Sequence, residues 1–222
     1  MEKLSSFEEI VRILMSMESP ENREGMGRFG INVQNALGIK VTDLRKLARK
    51  IHHDHGLAGE LWDTGIHEGR MLATMIDNPG DITLDQMKRW AKDFDSWDLV
   101  DQCCNNLFRK TPHAHEKAVD WSGNEEEFIR RAGFTLMAVL AVHDKDSSDS
   151  VFEGYLSLVE RGSDDDRNYV KKSVNWALRQ IGKRNEVLKD QALACAERIL
   201  ERGSKSGRWI ARDAMRELGK GK

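Results

Sequence analysis

The sequence is poor in the residues that stiffen or cross-link a chain, and it has no long apolar run. Only 3 prolines and 3 cysteines occur among its 222 residues. Because Cys103, Cys104 and Cys195 form no CxxC pair, structural disulfides are not expected. The longest apolar run, Phe134–Val142, is too short to span a bilayer, and no secretory signal is visible. The sequence therefore predicts a soluble cytoplasmic protein without a membrane partner.

Signatures of metals and cofactors are also missing. No glycine pattern resembles a phosphate-binding loop or a dinucleotide fold. The stretch His52–His55 is rich in ligand types, but it has neither the HExxH motif nor a pair of histidines four residues apart. His113 and His115 would point to different faces of a helix. No serine or cysteine nucleophile with a recognisable base emerges, so neither a metal nor a cofactor is expected.

Charge is divided unevenly along the chain. The net charge of −2 combines two parts of opposite sign. From Arg161 onward there are 16 Lys and Arg against 9 Asp and Glu, which leaves 19 against 28 in the preceding residues. A basic C-terminal part beside an acidic N-terminal part suggests a polyanionic partner held on one side.

Helical periodicity runs through most of the sequence, and no convincing alternating strand is present. The clearest case is the stretch Asn168–Arg184. Its apolar side chains share one face: Val170, Val174, Ala177, Leu178 and Ile181. The expected fold class is therefore all-α.

Trp176 lies off that apolar face, in a row of cations. Lys172, Arg179 and Lys183 are its neighbours on the helix surface, at i−4, i+3 and i+7. A second layer of helices would make the tryptophan a core residue. A nucleic-acid surface would instead use the cations for phosphates and the flat ring for a sugar or a base. The row by itself does not decide between these two interpretations.

Helical patterns recur about every forty residues in the second half. The segment Glu127–Ala132 resembles Asn168–Ser173 at an offset of 41, and Tyr169 is echoed by Trp209 at an offset of 40. Two helices per period at this spacing are typical of HEAT repeats. We therefore expect a superhelical solenoid of antiparallel helix pairs.

Such a stack has no internal boundary, so residues 1–222 are expected to form one domain. Within it, residues 1–40 are expected to supply one helix and a glycine-rich connection. One helix of each pair would line a concave face. That face would carry the recurring cations Arg130, Arg131, Lys171, Lys172, Arg208 and Arg212. A concave basic surface could wrap a duplex or bind an acidic peptide.

In the stretch Phe94–Asn106 a tryptophan and an aspartate share one side of a predicted helix. Asp95 is predicted to cap this helix, with Asp98 at the third helical position. Trp97 lies at one side of the apolar stripe, and Asp101 points the same way at its border. An aromatic ring beside a carboxylate at the edge of burial is an arrangement found at functional sites. The structural alternative is that Asp101 pairs with a nearby cation and Trp97 belongs to the core.

Four ordered motifs give the chain a resemblance to a known family. They are LGIKVTDLRKLAR at 37–49, DSWDLVD at 95–101, FIRRAGF at 128–134 and KKSVNWALRQIGK at 171–183. Over nearly its whole length the chain resembles the AlkD-like DNA alkylation repair family of HEAT-repeat proteins. The resemblance implies excision of cationic N3- or N7-alkylated purines from duplex DNA, without metal or cofactor. We also expect a monomer, since solenoids of this size are often monomers, with no obligatory protein partner and with association to the nucleoid when it is bound to DNA.

The resemblance further implies residue roles. Trp97 and Trp176 would flank the deoxyribose of the lesion. Asp101 would stabilise the developing oxocarbenium ion or position the attacking water, and Arg131 would hold a nearby phosphate. The remaining DNA contacts expected from the motifs and from the recurring cations are Thr42, Arg45, Lys172, Arg179, Lys183 and Arg208.

One stretch departs from the family pattern. Active relatives carry an aromatic residue in a helical N-terminal segment that packs near the lesion. The matching stretch EGMGRFGIN, residues 24–32, is interrupted by glycines, and Phe29 is its one aromatic residue. Three hypotheses therefore stay open: a glycosylase for cationic alkylpurines, a non-catalytic binder of DNA structures, and, less favoured, a HEAT scaffold for an acidic protein segment.

Overall fold

A computed structural model describes residues 6–51 and 53–219. Over those residues the chain forms thirteen α-helices, one short 3-10 helix and no strand, which confirms the all-α class. None of the described helices is long and apolar enough to cross a membrane. The chain divides after Thr111 into two compact units, which are described separately. The expectation of one domain over residues 1–222 stays a prediction.

Seven of the helices belong to the first unit, and helix α5 is central among them. Their bounds are α1 (Phe7–Ser16), α2 (Pro20–Arg28), α3 (Val41–Ile51), α4 (His55–Asp63), α5 (His67–Ile76), α6 (Leu84–Lys92) and α7 (Trp97–Asn106). Helices α1, α3, α4 and α7 all pack against α5. The rings of Trp62 and Trp90 stack at a centroid distance of 3.9 Å and join α4 to α6. The 3-10 helix Phe108–Lys110 follows α7 and packs on it.

The second unit consists of two helical layers. Its helices are α8 (Ala114–Ser122), α9 (Glu127–His143), α10 (Asp149–Gly162), α11 (Asn168–Gly182), α12 (Glu186–Arg202) and α13 (Lys205–Leu218). Helices α9, α11 and α13 pack side by side in one layer, and α8, α10 and α12 form the other. Between the layers, α8 packs on α9, α10 on α11 and α12 on α13. Such pairs of consecutive helices are the arrangement of HEAT repeats.

Side chains one repeat apart are joined at a spacing of 38 residues. Asn175 Nδ2 donates to Asp213 at 2.7 Å between α11 and α13. In the other layer, Arg198 Nε donates to Glu160 at 2.8 Å between α12 and α10. Equivalent positions therefore connect successive repeats in both layers, as expected of a stack in which each repeat contacts its neighbours.

Gly133 allows helices α8 and α9 to come close. A Cβ at Gly133 would lie 2.3 Å from the backbone nitrogen of Ser122, well inside any normal contact. The absence of a side chain thus lets α9 approach the end of α8, and Phe134 beside it is fully buried.

Helix α2 was not expected from the sequence. The side chain of Ser19 caps it by accepting the backbone N–H of Asn22 at 3.4 Å. Pro20 takes the first helical position, where a missing N–H costs nothing. The expectation of a glycine-rich, non-helical connection is therefore wrong for residues 20–28, because these end signals outweigh the low helix propensity of Gly25 and Gly27. Residues 29–40 are free of helix, as expected.

Candidate functional site

Helix α7 presents Trp97 and Asp101 on a half-buried face. The two residues are four positions apart and therefore lie about 6 Å apart along the helix axis, one turn from each other. Both are partly exposed. The core-facing side of the helix is formed by Leu99, Val100, Cys103 and Cys104. The tryptophan and the aspartate are therefore half-buried members of this helix turn, outside its fully buried side.

The first turn of α7 is fixed by the segment that follows α2. Ser96 is the N-cap residue, so the prediction of a cap at Asp95 is wrong. The Ser96 hydroxyl accepts the backbone N–H of Asn32 at 3.3 Å, and Asp95 accepts the Asn32 side-chain amide at 2.8 Å. Asp98 stands at the second helical position, not the third, and hydrogen-bonds His67 Nε2 at 3.0 Å. These polar groups therefore anchor α7 to other elements of the unit instead of capping it.

The end of α2 reaches the indole of Trp97. Trp97 Nε1 donates its hydrogen to the backbone carbonyl of Phe29 at 3.1 Å. The Phe29 ring lies beyond the last residue of α2, and the residue is 76% exposed. Helix α2, residues 38–40 and Trp97 line an open cavity of about 790 Å³. The sequence predicted neither the contact nor the cavity, because Phe29 and Trp97 are 68 residues apart.

A buried glutamate holds the connection between α2 and α3. Glu68 on α5 is fully buried, and its carboxylate accepts the backbone N–H groups of Leu37 and Gly38 at 2.7 Å and of Ile39 at 3.1 Å. Gly38 has a φ of 82°, and a Cβ there would lie 2.2 Å from the carbonyl oxygen of Ser19. Sequence reasoning missed Glu68, because a glutamate on a short helix is usually solvated.

His67, next to Glu68, joins α5 to α7. Burial lowers the pKa of this histidine, but its hydrogen bond to Asp98 and the negative charge of Asp98 outweigh that effect and raise the pKa above its ordinary value. The backbone N–H of His67 also donates to the carbonyl of Asn35 at 3.0 Å. His67 and Glu68 of α5 therefore both position the connection after α2. His67 also holds the first turn of α7 through Asp98.

The cysteines are free, buried thiols. Burial raises the pKa of Cys103 well above its ordinary value and that of Cys195 to about 12, so neither is a thiolate at neutral pH. Within residues 6–51 and 53–219, no three His, Cys, Asp or Glu side chains come together in a way that could hold a metal ion.

The histidine-rich stretch at 52–55 has structural roles where it is described. Residue 52 lies outside the described residues. Asp54 caps α4 by accepting the backbone N–H of Leu57 at 3.1 Å. His55 Nδ1 lies 2.7 Å from a carboxylate oxygen of Asp77, which is buried beside it.

In the second unit, Trp176 is half-buried on α11 and Lys172 is exposed. Arg179 and Lys183 both form ion pairs with Glu217 of α13. The hydrogen bond from Lys183, with that from Arg179, lowers the pKa of Glu217. Two of the three cations predicted around Trp176 thus share an acidic partner in the next repeat. The 38-residue spacing between repeats is the signal that could have placed Glu217 opposite Arg179.

The other predicted DNA contacts differ in exposure. Arg131 is 5% exposed, and its Nη1 donates to the backbone carbonyl of Tyr169 at 2.7 Å, which ties α9 to the start of α11. Thr42, Arg45 and Arg208 are exposed. The DNA-binding roles assigned to these residues stay predictions. So do the concave basic face and the expectation that Trp176 belongs to the same site as Trp97 and Asp101.

Arg45 also belongs to a cationic group in the first unit. With Arg49 of α3 and Lys110 of the 3-10 helix it lines a cavity of about 260 Å³. Burial and the neighbouring charge of Arg109 lower the pKa of Lys110. The three lining cations give this cavity a positive charge, which favours an anionic ligand.

Comparisons with known proteins agree with the fold. A family model described as DNA alkylation repair enzyme matches residues 10–218. The uncharacterized protein Lin0241 of Listeria innocua is 21% identical over 198 residues, which cover 87% of this chain and 86% of that protein. A solved structure described as one of "a new family of proteins related to the HEAT-like repeat DNA glycosylases with affinity for branched DNA structures" matches with a TM-score of 0.80. It is 18% identical and the match covers 97% of each chain, so the likeness is one of fold and confirms the HEAT-like architecture.

Proposed function

The chain belongs to the DNA alkylation repair enzyme family, and on that premise we propose that it is a DNA glycosylase for cationic alkylpurines. The reaction is hydrolysis of the N-glycosidic bond of N3- or N7-alkylated purines in duplex DNA. The observation that carries the proposal is the pair Trp97 and Asp101, one turn apart on the half-buried face of α7. The hydrogen bonds to Asn32 and Phe29 hold that turn in place before a substrate arrives.

The proposed chemistry needs little more than a positioned carboxylate. The alkylated purine already carries a positive charge, so it leaves as a neutral base with the electron pair of the bond between C1′ and N9. The sugar takes on oxocarbenium character, which the negative charge of Asp101 stabilises. The oxygen of a water molecule then bonds to C1′, and its proton passes to Asp101 or to solvent. The products are the free base and an abasic site.

Trp97 is proposed to pack against the deoxyribose of the lesion. Its indole N–H donates to the carbonyl of Phe29, and this bond helps to orient the ring before a sugar packs against it. Trp176 of the second unit is proposed to contact the same nucleotide. A cationic base and an oxocarbenium-like sugar are both favoured near an aromatic face.

The DNA backbone is proposed to lie against the exposed cations. Lys172 and Arg208 are exposed, and Arg208 also donates to the backbone carbonyl of Gly203, whereas Arg179 and Lys183 would exchange Glu217 for a phosphate. Arg45 and its cationic neighbours would hold a phosphate of the duplex in the first unit. Binding of this kind is sensitive to salt, because each phosphate contact releases counterions.

Release of free base from duplex DNA that contains N7-methylguanine tests the proposal. The wild-type protein is expected to release the alkylated base and to leave an abasic site, without added metal or cofactor. Intact binding to the duplex without any base release would overturn the proposed activity.

A non-catalytic binder of DNA structures is the second candidate. The solved relative of the same fold is described as having affinity for branched DNA. In this chain, moreover, α2 contains no aromatic residue, and Phe29 follows its last residue. This candidate predicts tighter binding to branched than to linear duplex DNA, and no base release from any alkylated substrate. A protein partner together with an absence of DNA binding at moderate salt would favour the scaffold hypothesis over both.

A further inference from the structure

Trp209 on α13 is an aromatic residue that the proposed reaction does not use. It is 42% exposed, whereas Ile210, Ala214 and Leu218 of the same helix are buried. Lys171 of α11 lies over the Trp209 ring, with its Nζ 5.1 Å from the ring centroid. An exposed indole with a cation over it is a surface that can receive a further flat group.

Aromatic residues recur near the starts of the three helices of this layer. Phe128 on α9 packs against Tyr169 on α11 at a centroid distance of 5.6 Å. Trp209 lies on α13, forty residues after Tyr169 and 38 residues after Lys171, the residue whose cation contacts it. In the described part of the chain no helix follows α13, and the ring is partly open to solvent there.

Positive charge surrounds the ring. Trp209 lines a shallow cavity of about 330 Å³ together with the cations Lys205, Arg208, Arg212 and Arg216 and one acid, Asp213. Asp213 forms an ion pair with Arg216 and lies 3.6 Å from Arg179. The acid is therefore engaged by cations on two sides, and the surface beside the ring keeps a net positive charge.

We propose that Trp209 stacks on an unpaired base of a nucleic-acid strand whose phosphates lie against Arg208 and Arg212. Single strands are bound in this way, since cations follow the backbone and every base has a flat face. Inside a duplex each base face is covered by its neighbours, so an exposed ring selects an unpaired nucleotide. An acidic peptide would satisfy the cations but would leave the ring without a partner. The inference rests on the proposed function only for its DNA partner and does not require base excision.

Fluorescence anisotropy with three DNAs that share one duplex tests the inference. The first is blunt, the second carries a short single-stranded extension, and the third carries the same extension built from abasic sugar phosphates. The wild-type protein is expected to bind the base-bearing extension about tenfold more tightly than the abasic one. Trp209→Ala is expected to abolish that difference while keeping the affinity for the blunt duplex, and Trp209→Phe is expected to retain part of it. Val187→Ala is the matched control, because Val187 is an apolar residue of the same unit that is 59% exposed.

Equal affinity of the wild-type protein for the two extensions would overturn the inference, as would a preference that survives in Trp209→Ala. Trp209-dependent binding of an acidic peptide without any preference among the DNAs would also overturn it and assign the surface to a protein partner. Base release is measured in parallel, on the same blunt duplex prepared with N7-methylguanine. A Trp209-dependent preference without base release supports this inference and contradicts the proposed glycosylase activity. Base release without the preference supports the glycosylase activity and contradicts this inference.

Discussion

The indole N–H of Trp97 donates to the backbone carbonyl of Phe29 at 3.1 Å, so the first residue of α7 holds the end of α2. Asn32 adds two bonds to the same turn, through Ser96 and Asp95. The tryptophan proposed to contact the lesion is therefore also a structural link to the segment that forms one side of the cavity. A change in either element is expected to disturb the other.

Trp97→Phe separates these two roles, because it keeps an aromatic ring and removes the donor. The Phe29 carbonyl can then turn to water, so the cost in stability is expected to be about 1 kcal/mol or less. Amide exchange at Gly30 and Ile31, which hydrogen-bond to the last turn of α2, is expected to accelerate. Phe29→Leu, which leaves the carbonyl in place, is the control. Unchanged exchange in Trp97→Phe would contradict the link.

Glu68→Gln is expected to lower the free energy of unfolding by roughly 2–4 kcal/mol. The buried carboxylate accepts three backbone N–H groups with two oxygens, whereas an amide offers one oxygen and turns an NH₂ group toward a donor. Urea unfolding measures the change. Glu60→Gln, an exposed residue of α4, is the matched control. Equal stability of the two variants would show that the bonds from Leu37, Gly38 and Ile39 contribute little.

His67 is expected to make stability depend on pH. Its pKa is raised in the folded state: burial opposes the shift, but Asp98 outweighs it, with smaller contributions from Glu68 and Asp95. The stabilisation is therefore fully present below the unfolded-state pKa of about 6.5 and is lost as the pH rises through the raised folded-state pKa. Urea unfolding of wild type and His67→Gln, at roughly pH 5 and pH 9, is expected to show the larger difference in stability at the lower pH. A larger difference at the higher pH would reverse the sign and contradict the account.

Glu217→Gln is expected to strengthen duplex binding. Lys183 loses its acidic partner and Arg179 keeps only the longer contact to Asp213 at 3.6 Å, so both become more available to phosphates. The slope of log affinity against log salt is expected to steepen by about 1–2, because each new phosphate contact adds about 0.9. Glu186→Gln removes the same charge at the start of α12 and controls for net charge. Equal slopes for the two variants would place Arg179 and Lys183 outside the DNA interface.

Apolar periodicity was sufficient to predict most of the helices. It works for α11, where Val170, Val174 and Leu178 face the core, because burial of an amphipathic face decides the structure. It failed for α2, which buries no residue and depends on its cap at Ser19 and on Pro20. A helix held mainly by its ends has no apolar pattern from which it could be predicted.

The site could be predicted from the sequence only in part. Four-residue spacing is enough to place Trp97 and Asp101 on one side of α7, because neighbours on a helix are local in sequence. The partners Asn32, Glu68 and Glu217 could not be predicted, because they depend on how distant elements approach one another. Apart from the 38-residue spacing of the second unit, the sequence gives no signal for such contacts.

The rate of base release by wild type and by Asp101→Asn from the same N7-methylguanine duplex, at low salt and in single turnover, tests the central claim most directly. Loss of the carboxylate charge is expected to slow release by about 100-fold or more, with duplex affinity and unfolding midpoint unchanged. Asp85→Asn is the matched control, since that side chain of α6 is 97% exposed. Release by wild type and Asp85→Asn but not by Asp101→Asn is the result that the account predicts. Equal rates for all three proteins would contradict the role of Asp101, and no release by any of them would contradict the glycosylase itself.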